Sequence, residues 1–163
     1  MELEKEKKSS RIRKTNSKES SAKRCNIVLV KESSLLYKER AVKSPEDSYN
    51  LLKHFLEDND RKYFIATTLD IKNQPVSVHV YYVGSINAYI FHPREVMKSA
   101  ILSNVTTIIA GHNHPSGHTT PSGEDQKVTK RLKEAEGIIR IELLNHIIVG
   151  KDSYLSLNEK GYL

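Results

Sequence analysis

The chain has 163 residues, of which 37% are hydrophobic and 28% charged, and Cys25 is its only cysteine. This length suits one domain with its own core better than two, and a single cysteine excludes an internal disulfide. No stretch approaches the roughly 20 apolar residues of a membrane span, and the first residues lack the apolar centre of a secretory signal. We therefore predict a cytoplasmic protein with no membrane association, in a compartment that keeps thiols reduced.

The net charge of +6 is concentrated at the amino terminus. Residues 1–24 contain nine lysines or arginines and four glutamates, a net charge of +5, which leaves +1 for the other 139 residues. Their low hydrophobicity predicts a disordered basic tail, followed by a folded domain over residues 25–163. Such a tail is either a solvated leader or a contact for nucleic acid through counterion release. It has no aromatic side chains that could stack on bases.

The predicted elements alternate between strands and helices. In chain order they are a strand over 26–30, a helix beginning at Pro45 after the N-cap Ser44, strands over 63–70 and 76–83, a helix beginning at Pro93, a strand over 106–110, a helix with Ser122 as N-cap, two short strands within 138–149, and a strand over 154–157. This order predicts an α/β fold of three-layer type, in which one mixed sheet is flanked by helices.

The segment from His112 to Asp125 follows a predicted buried strand and ends in the first turn of a helix. Open α/β sheets bind ligands at such carboxyl ends of strands. His112 and His114 are two residues apart in an extended segment, so both side chains point the same way. Asp125 lies three residues after Ser122, which is the capping-box spacing. In the alternative interpretation, Ser122 and Asp125 only cap the helix and the histidines only bind loop carbonyls.

Two imidazoles and one carboxylate form a ligand set for zinc that keeps the fourth position open for water. Zinc in such a site lowers the pKa of bound water to about 7 and polarises a carbonyl group. The imidazoles bind metal only when neutral, so we expect the metal to be lost at acidic pH. The sequence therefore predicts a Zn²⁺ site carried by His112, His114 and Asp125.

Two further strings, FHPREV at 91–96 and LLNHIIVG at 143–150, carry a family resemblance together with residues 108–125. Over residues 26–163 the chain resembles the bacterial RadC family, a JAB/MPN domain with the JAMM metallopeptidase motif. The resemblance implies the JAB/MPN fold, which is related to that of cytidine deaminases. It also implies a zinc-dependent hydrolase, in which metal-activated water attacks an amide or isopeptide carbonyl of a peptide or protein substrate.

The resemblance further implies a glutamate upstream of the histidines that acts as general base. We assign this role to Glu95, which lies in the matching helix start; the alternative is that Glu95 only stabilises the helix dipole. His79, at a position where some relatives have glutamate, is a lesser alternative as an imidazole base. Ser122 corresponds to the JAMM serine that helps to stabilise the oxyanion, which is compatible with its capping role.

Two residues depart from the family pattern. His118 stands where relatives usually have Asp or Asn, and Asn145 stands where they usually have Asp, which removes a charge beside His146. For His146 itself we predict a hydrogen-bonded strand histidine rather than a residue that orients Asp125 or lines the cleft.

Three functions are consistent with these residues. The first, which we predict, is the zinc hydrolase. The second is a DNA-repair-associated factor that binds nucleic acid through the basic tail, motivated also by the historical name of the RadC family. The third is a non-catalytic JAB/MPN scaffold, motivated by Asn145 and by the undefined base, although the intact ligand set argues against it.

Overall fold

The computed structural model describes residues 41–57, 59–84 and 91–163. Its elements are α1 (Pro45–Leu56), β1 (Tyr63–Leu69), β2 (Pro75–Val83), α2 (Pro93–Leu102), β3 (Thr107–Asn113), α3 (Gly123–Ile139), β4 (Glu142–Val149) and β5 (Tyr154–Ser156). The predicted tail over 1–24, the strand over 26–30 and Cys25 lie outside the described residues. Within those ranges, no helix has the length and apolar character to cross a membrane.

The strands form one mixed sheet in the order β2-β1-β3-β4-β5. β3 and β4 are parallel, whereas β1 runs antiparallel to both β2 and β3, and β5 runs antiparallel to β4. Phe64, near the start of β1, therefore pairs with His112, near the end of β3. The chain that enters β1 thus reaches the same edge of the sheet as the predicted metal ligands.

Helices cover both faces of the sheet, which confirms the predicted three-layer arrangement. α1 packs on one face with its apolar positions Leu51, Leu52 and Leu56 against residues such as Ile65 and Ile109. α2 and α3 cover the opposite face, where the second core contains Phe64, Phe91, Val96, Met97, Ala100, Ile108, Val128, Leu132 and Leu143. Burial of these apolar side chains is the main stabilising contribution to the fold.

The predicted helix starts are confirmed. Ser44 caps α1 and Ser122 caps α3, each within a capping box whose acidic partner is Asp47 or Asp125. Pro93 is the first residue of α2, where its missing N–H costs no hydrogen bond.

Two of the predicted strand assignments differ from the structure. β3 extends to Asn113, so His112 lies inside the strand rather than after it. The prediction of two strands within 138–149 is wrong, because α3 continues to Ile139 and a single strand, β4, begins at Glu142. The β-branched pair at 138–139 favours a strand locally, but the helix ends only at Arg140, which adopts a left-handed conformation with φ of 63°.

Candidate metal centre

The candidate site forms where the end of β3 meets the first turn of α3. His112 is the second-to-last residue of β3, and His114 is the first residue after that strand. Asp125 is the third residue of α3. The side chains of His112 and Asp125 are completely buried, and that of His114 is 15% exposed. One edge of the cluster is therefore open to solvent while the other two ligands are fixed in the core.

The three side chains converge through atoms that can bind a metal ion. His112 Nε2 lies 3.1 Å from His114 Nε2 and 3.2 Å from Asp125 Oδ1, and His114 Nε2 lies 3.2 Å from Asp125 Oδ2. Ligand atoms held about 2.0–2.1 Å from a tetrahedral metal ion lie roughly 3.3 Å from one another. The observed spacing therefore fits a single divalent cation with three protein ligands.

The imidazole of His112 has its tautomer fixed by a chain of buried hydrogen bonds. The Thr129 hydroxyl donates to the Asp125 carbonyl oxygen at 2.7 Å, so it accepts from His146 Nδ1–H, also at 2.7 Å. His146 Nε2 then accepts from His112 Nδ1–H at 2.8 Å. The lone pair of His112 Nε2 consequently faces the site, as metal binding requires.

His114 is oriented in the same sense by the loop that follows it. Its Nδ1–H donates to the carbonyl oxygen of His118 at 2.7 Å, which leaves the Nε2 lone pair directed at the site. The loop itself is held by the bond from the His114 backbone N–H to the Val149 carbonyl oxygen, at 2.9 Å. The side chain of His118, which departs from the family pattern, is not required for this contact, because only its carbonyl takes part.

Asp125 is held by the capping box of α3. Its Oδ2 accepts hydrogen bonds from the Ser122 backbone N–H at 2.8 Å and from the Ser122 hydroxyl at 2.6 Å. Its Oδ1 accepts a bond from Nζ of Lys62 at 2.5 Å. Burial alone would raise the pKa of the Asp125 carboxyl, but the Lys62 ammonium paired with Oδ1 holds that pKa below its ordinary range.

The buried imidazoles are held in the neutral form. Burial lowers the pKa of His112 to about 4, against an ordinary value of 6.5, although Asp125 favours the protonated ring. Burial also lowers the pKa of His146 well below 6.5, and the neighbouring His112 lowers it further. Neutral imidazole is the form that binds metal, so these residues fit a metal ion at neutral pH.

Comparison with known proteins agrees with this geometry. The sequence model of the RadC-like JAB domain matches residues 42–162, which include every residue of the site. The chain belongs to the RadC-like JAB domain family. The predicted family and the predicted JAB/MPN fold are thereby confirmed, and the fold places a potential metal-binding group at the JAMM positions.

Three bacterial relatives of this RadC-like domain are named as UPF0758 proteins. One from Geobacillus sp. (strain WCH70) is 47% identical over 122 residues, which cover 75% of this chain and 54% of the relative. The UPF0758 protein YsxA of Bacillus subtilis (strain 168) is 43% identical over 122 residues, 75% of this chain and 53% of the relative. One from Listeria monocytogenes serovar 1/2a is 47% identical over 124 residues, which cover 76% of this chain and 55% of the relative. The chain spans about half the length of these curated relatives.

The catalytic residues predicted for the RadC-like domain have different surroundings. Ser122 lies beside the triad, with its hydroxyl engaged by Asp125, so a role in oxyanion stabilisation stays a prediction. Glu95 lies in the first turn of α2, with its side chain 48% exposed. Its carboxylate forms ion pairs with Lys98 at 2.6 Å and Arg94 at 3.4 Å. Its assignment as general base also stays a prediction.

The alternative base, His79, lies on β2, where its Nε2 is 2.8 Å from the Ser77 hydroxyl. Asn145, the second departure from the family pattern, is buried, and its Oδ1 accepts from the His146 backbone N–H and the Ser156 hydroxyl. It therefore joins β4 to the end of β5 without contributing a charge.

Two residues of the centre were missed by the sequence analysis. Thr129 has no motif of its own; its only signal is a position one helical turn after Asp125. Lys62 is in a polar stretch before β1, and only the antiparallel pairing of β1 with β3 brings it to the site. His146 is hydrogen-bonded in its strand, as predicted, and in addition orients His112.

Proposed function

We propose that this chain is a zinc-dependent hydrolase of the JAMM type, which cleaves an amide or isopeptide bond in a peptide or protein. The observation that carries the proposal is the convergence of two fixed imidazole lone pairs and one carboxylate within about 3.2 Å of each other. Three electron-pair donors that face one another in a buried site are stabilised by positive charge, and a divalent ion could bind all three at once. Membership of the JAB family supports hydrolysis as the use of that cation.

His112, His114 and Asp125 would hold the ion, and these three protein ligands leave a fourth position open. Zinc bound there would supply water with a pKa of about 7 and a Lewis acid for the scissile carbonyl. Ser122 keeps the Asp125 carboxylate in place through its backbone N–H and hydroxyl. Thr129 and His146 keep the His112 ring in the binding tautomer, so the ligands need little rearrangement on loading.

Substrate access is set by the exposure of the ligands. His114 is the most exposed member of the triad, with 15% of its side chain open to solvent, so a substrate reaches the centre from its side. The loop of residues 115–121 contacts His114 through the His118 carbonyl oxygen. The proton acceptor expected from the family resemblance is Glu95, and its replacement by glutamine is the direct test of that role.

The first experiment measures the zinc content of the purified protein by inductively coupled plasma mass spectrometry. We expect about one zinc per chain in the wild type and none in a His112→Ala/Asp125→Ala double variant. A panel of fluorogenic peptide and isopeptide substrates is then assayed with wild type, His114→Ala and Glu95→Gln. Cleavage by wild type that is lost in His114→Ala supports the proposal.

Three results would contradict it. Equal cleavage by wild type and His114→Ala would place the activity outside this site. Absence of zinc even after reconstitution at neutral pH would show that the cluster serves only to cap α3 and fix the loop. Zinc at full occupancy without cleavage of any substrate would favour the non-catalytic JAB scaffold.

The nucleic-acid alternative depends on residues 1–24, which lie outside the described residues. It predicts DNA binding that weakens steeply with increasing salt. Deletion of the tail separates it from the hydrolase proposal, because a zinc site in the folded domain does not need those residues.

A further inference from the structure

The side chain of Lys62 enters the candidate metal centre from the chain segment before β1. Its Nζ lies 2.5 Å from Asp125 Oδ1, and its side chain is only 17% exposed. Lysine side chains are almost never buried without a charged partner. The ammonium group therefore forms an ion pair with this carboxylate instead of being fully solvated.

The oxygen that Lys62 contacts is the one left available for a metal ion. Asp125 Oδ2 already accepts both hydrogen bonds of Ser122, from the backbone N–H and from the hydroxyl. Oδ1 has no such bond from the capping box, and it lies 3.2 Å from His112 Nε2. An ammonium ion and a divalent cation would thus compete for the same oxygen.

The backbone around Lys62 is fixed, so the contact is part of the fold. The side chain of Asn113, the residue between the two histidines, binds the chain on both sides of Lys62. Its Nδ2 donates to the Arg61 carbonyl oxygen at 2.8 Å, and its Oδ1 accepts from the Tyr63 N–H at 2.6 Å. The carbonyl oxygen of Lys62 accepts from the Gly84 N–H at 2.7 Å.

The Lys62 ammonium group neutralises the negative charge of Asp125 at the centre. Without a cation, two imidazole lone pairs and a carboxylate would face each other in a buried site, an arrangement with a large desolvation cost. Lys62 supplies one positive charge and a hydrogen-bond donor. A divalent ion at the same place would supply two charges, but would repel an ammonium group a few ångströms away.

We propose that Lys62 is a built-in competitor for the metal ion. Its ammonium neutralises Asp125 in the metal-free protein and must leave Oδ1 before a divalent cation can bind. This inference rests on the proposed metal site and adds to it a residue that lowers the affinity of the site for the metal ion. It implies that the metal-free fold is stable, and that metal affinity is lower than the ligand set alone would give.

The test compares wild type with Lys62→Met, which keeps the length of the side chain and removes its charge. Zinc affinity is measured at fixed neutral pH by competition with a chromophoric chelator. We expect Lys62→Met to bind zinc at least about tenfold more tightly, because an ion pair with the ligand oxygen no longer has to be broken. Lys127→Met is the matched control, since its ammonium pairs with Glu124 in the same helical turn as Asp125.

Thermal unfolding gives a second readout that does not depend on catalysis. In EDTA, Lys62→Met should melt at a lower temperature than wild type, because it leaves a buried carboxylate without its cation. Saturating zinc should raise the melting temperature of Lys62→Met by more than that of wild type. Lys127→Met should follow wild type in both measurements.

The outcomes separate this inference from the proposed function. Zinc binding by wild type and Lys62→Met with equal affinity would overturn the role of Lys62 and leave the metal site intact. Zinc binding by neither protein, with no difference from His112→Ala/Asp125→Ala, would overturn both. Tighter binding by Lys62→Met together with its lower stability in EDTA is the result that supports the inference.

Discussion

Nδ1 of His112 lies 2.8 Å from Nε2 of His146, a contact that joins β3 to its parallel neighbour β4. Because His146 is in turn fixed by Thr129, the direction of this hydrogen bond is determined. A residue on α3 therefore decides which nitrogen of His112 carries its proton.

Replacement of Thr129 by valine tests this relay, the chain of hydrogen bonds from Thr129 through His146 to His112. The change keeps the shape of the side chain but removes the acceptor for His146 Nδ1–H, so His146 and His112 lose their fixed tautomers. We expect zinc affinity to fall about 10–100-fold, as measured by chelator competition. Thr68→Val is the matched control, because Thr68 is buried in β1 and its hydroxyl contacts Ser77. Unchanged affinity in Thr129→Val would show that the relay has no part in metal binding.

The two capping boxes allow the roles of Ser122 to be separated. Ser44→Ala and Ser122→Ala each remove an N-cap hydroxyl, and each should lower the free energy of unfolding by about 0.5–2 kcal/mol. Only Ser122→Ala should also weaken zinc binding, because the Ser122 hydroxyl holds Asp125 Oδ2. Unfolding in urea and zinc titration provide the two measurements. If the two variants bind zinc equally well, Ser122 acts only as a helix cap.

The buried imidazoles predict how the stability of the metal-free protein depends on pH. The pKa of His112 is lowered from 6.5 to about 4 in the folded state, so between these values the unfolded chain binds a proton that the folded chain does not. His146 is shifted in the same direction. The free energy of unfolding should therefore fall as pH falls from about 6.5 towards 4, by up to about 1.4 kcal/mol per pH unit for each imidazole.

Chemical unfolding in a chelating buffer at several pH values measures this slope. His112→Asn should reduce it, whereas His54→Gln, which removes an exposed imidazole of α1, should leave it as in wild type. A wild-type unfolding free energy that does not change between pH 7 and pH 5 would contradict the prediction.

Gly150 tests whether the loop after His114 must pack closely on the β4–β5 connection. A Cβ at Gly150 would lie 2.5 Å from the Gly117 carbonyl oxygen, so alanine there must displace the loop. We expect Gly150→Ala to lower both the melting temperature and the zinc affinity. Gly137→Ala is the control: nothing lies within 4 Å of its Cβ, and alanine in this helix should raise the free energy of unfolding by up to about 1 kcal/mol. A Gly150→Ala protein with wild-type zinc affinity would show that the loop tolerates the shift.

The features that the sequence predicted correctly depend on neighbours in the chain. The capping boxes of Ser44 and Ser122 were predicted because a cap hydroxyl and its acidic partner are three residues apart. His112 and His114 share a direction because strand side chains alternate. The strand assignment at 138–139 was wrong, because the helical hydrogen bonds of α3 continue to the Arg140 N–H, which donates to the Glu136 carbonyl oxygen, although both isoleucines are exposed.

The sequence by itself determined the α/β class, the three metal-ligand candidates and the family, because those signals lie in local spacing and in contiguous strings. Only the tertiary structure decided which residues surround the ligands. Lys62 arrives from the start of β1, and His146 from β4, because strand pairing brings the ends of distant segments to one edge of the sheet. Which oxygen of Asp125 is available, and which nitrogen of His112 faces it, depends on hydrogen bonds between those segments, and no spacing along the chain encodes them.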